Sequence, residues 1–125
     1  MNTQSIKESA KAFLELIVKG NPRQAFHKYV GEGFKHHNTG FKGDAESLCK
    51  AMEADAAAFP NKVFTIQHVL HDGDWVAVHA HIQQNAEDRG FAVVHIFRFS
   101  ADKIVELWDL VQEIPANSVN EHGMF

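Results

Sequence analysis

The sequence predicts an α+β domain, with helices packed on one face of a curved antiparallel sheet, and three observations carry that prediction. Apolar residues recur at helical spacing from Ile6 to Phe59. From Lys62 onward the apolar period falls to two. The two regimes do not interleave, so helices come first and a meander of strands follows. A chain of 125 residues suffices for one core, hence a single domain over 1–125 with 114–125 as a C-terminal tail.

Each element has its own signal. Ile6, Ala10, Phe13, Leu14, Ile17 and Val18 form the apolar face of a first helix, and Ser5 and Glu8 have the spacing of a capping box. Gly20 suits the C′ position that ends it. Asn21-Pro22 reads as the N-cap and first residue of a short second helix that buries Ala25, Phe26, Tyr29 and Val30. A glycine-rich loop from Gly31 to Gly43 follows. Asp44 caps a third helix whose apolar face is Leu48, Met52, Ala56 and Phe59, stopped by Pro60. Val63–His71 and Trp75–Gln83 flank Asp72-Gly73-Asp74, a hairpin signal. Phe91–Phe99 and Ile104–Gln112 are the third and fourth strands, and Pro115 ends the last. The tail is polar as far as Met124-Phe125, an apolar end suited to docking on the body or on a partner subunit.

Composition excludes several function classes. Twelve Lys and Arg against sixteen Asp and Glu give a net charge of −4 without a basic block, so nucleic acid is not an expected partner. No apolar run approaches a membrane span, and residues 1–15 lack the apolar core of a signal peptide. A single cysteine, Cys49, fits a reducing compartment, and the expected location is cytoplasmic. Glycines 31, 33, 40 and 43 follow no phosphate-loop spacing. Ten Phe against one Tyr indicate an oily interior, and nine His supply the site candidates.

Strand register decides which side chains meet. A two-residue Asp72-Gly73 turn would pair His71 with Asp74, setting Ile66 opposite His79 and Phe64 opposite His81, on one face with His68 and Leu70. The Gln84–Gly90 connection leaves the register of the second hairpin open. In the third, a plain two-residue Ala101-Asp102 loop would set Arg98 against Val105. One extra residue or a bulge sets Arg98 against Glu106, an opposite-charge pair, and His95 against Asp109 on the other face. The second register is preferred, because the first puts Glu106 among Phe97 and Phe99.

Val93, His95, Phe97 and Phe99 then share a surface with Val105, Leu107, Asp109 and Val111. Apolar surroundings raise a carboxylic acid's pKa and a neighbouring imidazolium lowers it, so this acid could exchange protons near neutral pH. The alternative is a buried His–Asp pair that satisfies only its own hydrogen bonds.

Phe34-Lys35-His36-His37-Asn38 resembles the aromatic-x-x-His-Asn segment of SnoaL-like proteins. His95, Arg98-Phe99 and Glu106-x-Trp108-Asp109 resemble their last two strands in order and spacing. The resemblance runs from Ile6 to about Glu113 and points to the SnoaL-like polyketide cyclase and aldol-condensation branch of the nuclear transport factor 2 and ketosteroid isomerase superfamily. It implies a cone-shaped α+β barrel with an internal pocket, homodimerisation through the outer sheet face, and no cofactor. It also implies a small hydrophobic, enolisable substrate, with Asp109 as proton shuttle and His95 as hydrogen-bond partner of the carbonyl. His37 and Asn38 would orient the substrate, with Phe34, Val93, Phe97 and Leu107 around it. The chain departs from the cyclases where Val93 replaces a glutamine, where Thr39 replaces a proline, and in a shorter Gln84–Gly90 connection.

Two further functions stand beside this one: a non-catalytic binder using the same pocket, and a metal-dependent hydrolase or lyase in which His79-x-His81 and a third histidine such as His95 hold the ion. Trp75 and Trp108 read as core or interface, Cys49 as a buried inert thiol, and Asp55 with the other acids of the third helix as a solvated face.

Overall fold

The computed structural model describes residues 3–125, with side chains from residue 6 onward; the Ser5–Glu8 capping box lies outside the described residues. Helix α1 (Thr3–Val18) ends in a Schellman turn, in which Gly20 N–H donates to Ile17 O (3.0 Å) and Asn21 N–H to Leu16 O (2.9 Å). Helix α2 (Pro22–Tyr29) starts on Pro22 as expected, although the Asn21 side chain makes no cap hydrogen bond. Helix α3 (Ala45–Ala58) is capped by Asp44, whose Oδ2 accepts from Ser47 N–H at 2.9 Å. Among the described residues no helix is long and apolar enough to cross a membrane.

Strands β2 (Val63–Asp72), β3 (Trp75–Gln83), β4 (Phe91–Ser100) and β5 (Lys103–Glu113) form the antiparallel meander. The glycine-rich loop needs correction, because Val30–His36 is a further strand, β1, paired parallel with β5. The curled, open sheet therefore runs β1-β5-β4-β3-β2. Glycine belongs in β1 for a steric reason. A Cβ on Gly31 would lie 2.8 Å from Lys103 Cβ, so the edge strand approaches β5 only without a side chain there.

Two hairpins depend on local irregularities. In the first, Asp72 pairs Trp75, and the turn residues are Gly73 and Asp74. A bulge between Ile66 and His68 then sets His68 opposite His79 and Ile66 opposite Ala80. This corrects the predicted face. Phe64 and Ile66 pack toward the helices, whereas His68, Leu70, His79 and His81 share the outer surface. In the last hairpin Ala101 and Asp102 both have positive φ (49° and 71°), giving a two-residue turn, and a bulge between Arg98 and Phe99 restores the favoured register. Arg98 pairs Glu106 and His95 pairs Asp109. Ile104 takes the place opposite Phe99.

The core fills the concave side of the sheet. Phe13, wholly buried on α1, packs its ring 5.4 Å from Phe26 of α2 and 5.9 Å from Phe97 of β4, and Phe26 meets Phe34 of β1 at 5.9 Å. This aromatic chain ties both helices to the centre and one edge of the sheet, and full burial of one such ring is worth about 2–3 kcal/mol. The tail returns to the outer face, where Phe125 rests 4.9 Å from the His81 ring and 5.5 Å from that of His79.

Candidate active site

The site begins with strand alternation. Residues 93, 95, 97 and 99 of β4 face the helices, and the β4–β5 bulge brings Asp109 beside His95 on that same face. Both line a cavity of about 180 Å³, walled by Leu14 and Ile17 of α1, Met52 of α3, Phe64 of β2 and Val93 of β4. Phe97 and Leu107, expected at the substrate, are instead among the fully buried side chains of the core. Phe34 also belongs to the core, against Phe26.

The His95 ring makes no hydrogen bond to the described residues, and its Nδ1 is fully enclosed without a partner. Burial pushes the imidazole down to about 4, against the opposing pull of the Asp109 carboxylate. His95 is therefore neutral at physiological pH, able to donate one N–H, and its hydrogen-bonding capacity is unspent.

Asp109 is held from the other side. Asn38 Nδ2 donates to Asp109 Oδ2 at 3.2 Å. The Asn38 side-chain oxygen accepts from Gly40 N–H at 3.0 Å, and its backbone is held by His36, a residue not expected at the site. His36 is buried, its Nδ1 accepts from Asn38 N–H (3.1 Å), and its Nε2–H donates to Lys42 O (2.6 Å). Acceptance at Nδ1 leaves the proton on Nε2, so one tautomer satisfies both bonds. The alternation of β1, had the strand been recognised, would have turned His36 inward beside Phe34.

His37, predicted to face the pocket, lies on the opposite surface. Its Nε2 is 2.6 Å from Glu106 Oε2, and its ring stacks on Trp108 at 4.7 Å, with Trp75 stacked beyond at 5.5 Å. Glu106 also accepts from Arg98 Nε at 3.0 Å. The His37 hydrogen bond, with Arg98 adding to it, holds the Glu106 carboxyl below its ordinary range. The physical reason is that adjacent strand residues point apart: once His36 is inside, His37 must be outside.

His79 and His81 also lie outside, while His95 lies inside, so the three histidines do not converge on one ion. Among the described residues no group of three or more His, Cys, Asp or Glu is arranged to hold a metal. Cys49 is buried, and burial raises its thiol. Asp55 is exposed, as expected of a solvated face, and it also lines the rim of the cavity, ion-paired with Lys62. A wider depression, about 840 Å³, lies elsewhere, between the α1–α2 turn and α3. It is an open groove in which Arg23 is held by Glu46 (2.6 Å) and Glu53 (2.8 Å), with no imidazole–carboxylate pair.

Helices wrapped by a curled sheet, with an acid and an imidazole lining one cavity, define the cone-shaped α+β class. The chain belongs to the SnoaL-like polyketide cyclase family, whose profile matches residues 7–117. It is similar in fold to AclR of Streptomyces galilaeus (18% identity, 89% of this chain and 91% of that one covered, TM-score 0.74). IdmH of Streptomyces antibioticus is also similar (16% identity, 86% and 91% covered, TM-score 0.69). So is an NTF2-like protein of unknown function from Cytophaga hutchinsonii (16% identity, 86% and 89% covered, TM-score 0.69). No curated protein sequence matches the chain significantly.

Proposed function

We propose that the protein is a cyclase or isomerase-type enzyme that moves a proton next to a carbonyl in a small enolisable compound, with no cofactor in the step. The Asp109 carboxylate takes a proton from the carbon beside the carbonyl, and the electron pair passes to the carbonyl oxygen. The neutral His95 N–H donates to the enolate oxygen as it forms, a role an imidazole of lowered pKa fills without losing its proton. The enolate carbon can then attack a second carbonyl of the same molecule, and Asp109 returns its proton to the new alkoxide. Asn38 holds the carboxylate in place, and Val93 supplies an apolar wall. The observation that carries this reading is the unpartnered His95 ring beside Asp109 in one cavity.

Exchange of the protons beside the carbonyl of cyclohexanone in D₂O, followed by ¹H NMR, tests it. The protein should accelerate exchange over buffer, and Asp109→Asn should reduce the acceleration by about 100-fold or more with the circular dichroism spectrum unchanged. Equal rates for the two proteins refute the assignment. A rate equal to that of buffer for the unmodified protein leaves the cavity as a binding site only.

The outer sheet face supports a homodimer as part of the same proposal. Leu70 (67% exposed) and Leu110 (61%) flank an apolar surface that includes the exposed Trp75. Leu110→Glu should lower the sedimentation coefficient to that of a monomer; an unchanged coefficient, or a monomeric parent, removes this part. The lone buried Cys49 accords with a cytoplasmic setting.

A further inference from the structure

Lys62 and Asp55 have no role in the chemistry proposed above, yet both open into the same cavity as His95 and Asp109. Lys62 stands in the short turn between α3 and β2, from which a lysine normally reaches water. Here its side chain is only 11% exposed, and its ammonium is paired with the Asp55 carboxylate from the last turn of α3. Asp55, by contrast, is 49% exposed. The cation is thus enclosed and the anion is at the rim.

We infer that Lys62 is a specificity-determining residue that binds an anionic group, a carboxylate or phenolate, on a small one-ring or open-chain substrate, with Asp55 as its stand-in when the cavity is empty. The inference rests on the reading of this cavity as the substrate site. Three considerations lead to it. An enclosed ammonium requires an anion, because a charge taken out of water and left unpaired is strongly unfavourable. Asp55 can release it cheaply, since a half-exposed carboxylate regains water when it swings outward. Exchange of one carboxylate for another leaves the cavity's net charge unchanged, so Asp109 adds no new repulsion beyond what Asp55 already meets. Burial also pulls the Lys62 pKa downward, in keeping with an ammonium short of solvent.

Size sets the rest of the substrate class. A cavity of about 180 Å³ lies below the ~300 Å³ at which pockets for drug-sized ligands begin. One ring or a short chain fits that volume, with the anion at Lys62 and the carbonyl toward His95.

4-Fluorobenzoate and its neutral counterpart 4-fluorobenzamide test the idea by ligand-observed ¹⁹F NMR at millimolar concentration. Neither has an acidic C–H, so binding is read separately from catalysis. The benzoate should bind saturably and the amide at least tenfold more weakly. Lys62→Met should abolish that preference, while Asp55→Asn, which removes the competing carboxylate, should tighten benzoate binding several-fold. Equal binding of the two probes, binding of neither, or a preference that survives Lys62→Met overturns the inference. Should Lys62→Met fail to fold, the Asp55→Asn result decides alone, and unchanged or weaker benzoate binding counts against it. A cyclohexanone exchange activity without benzoate binding removes only the anion site, and the converse removes only the proposed chemistry.

Discussion

Replacing His95 by phenylalanine tests the central electrostatic feature of the site. In the folded protein burial pushes the imidazole down to about 4 from its ordinary value of 6.5, against the pull of the Asp109 carboxylate. The unfolded chain therefore binds a proton at this residue at higher pH than the native state does. Stability from keeping His95 neutral is fully present above about pH 6.5 and is lost as pH falls from there toward 4. The full difference is about 3 kcal/mol, and the part lost between pH 7 and pH 5 is about 2 kcal/mol. Phenylalanine has nothing to titrate and leaves no orphaned Nδ1, whose burial costs about 1–3 kcal/mol. His95→Phe should thus be about 1 kcal/mol more stable than the parent at pH 7, with the gap widening by about 2 kcal/mol at pH 5. At about 4 °C per kcal/mol for a domain of this size, the melting temperatures diverge by about 8 °C over that range. Urea unfolding at both pH values, read by circular dichroism, measures the gap. All groups apart from this pair titrate alike in both proteins, so the difference reports residue 95 together with its coupling to Asp109. Parallel stability curves, or a His95 ring signal titrating near its ordinary value, would refute the claim that the imidazole is desolvated.

Gly90→Ala should destabilise by more than about 2 kcal/mol, because φ is +75° and the new Cβ would meet the Ile82 carbonyl oxygen at 2.1 Å; thermal melting reads this, and a neutral result would mean the β3–β4 connection is looser than described. Glu106→Gln should lower the melting temperature at neutral pH by weakening the hydrogen bonds to His37 and Arg98. Because the fold holds the Glu106 carboxyl low, its contribution is present above the ordinary value of 4.5 and fades as pH falls below it, so the parent and variant curves should converge in acid. Curves that stay apart at low pH would show that the effect is packing and not charge.

The sequence alone was enough for the α+β class, the order of helices and strands, and the Arg98–Glu106 and His95–Asp109 pairings. Each rests on a short-range regularity: helical or alternating apolar spacing, a glycine after the first helix, and a charge pair that admits one register of the last hairpin. Strand β1 was not legible, because its glycines carry no alternating pattern and its pairing with β5 spans some 70 residues of sequence. Without β1 the two neighbouring histidines could not be told apart, and His37 was set in the pocket in place of His36. Phe64 and Ile66 were expected on the face of His79 and His81, and a single bulge near Gln67 turns them inward, since a one-residue slip exchanges inside for outside. Asp55 looked like one acid on a polar helix face until the turn after α3 carried Lys62 over to meet it. Local pattern thus determined which elements form and where the acid and imidazole sit. Only the closing of the sheet around the helices decided which other groups join them, because enclosure depends on contacts between residues far apart in the chain.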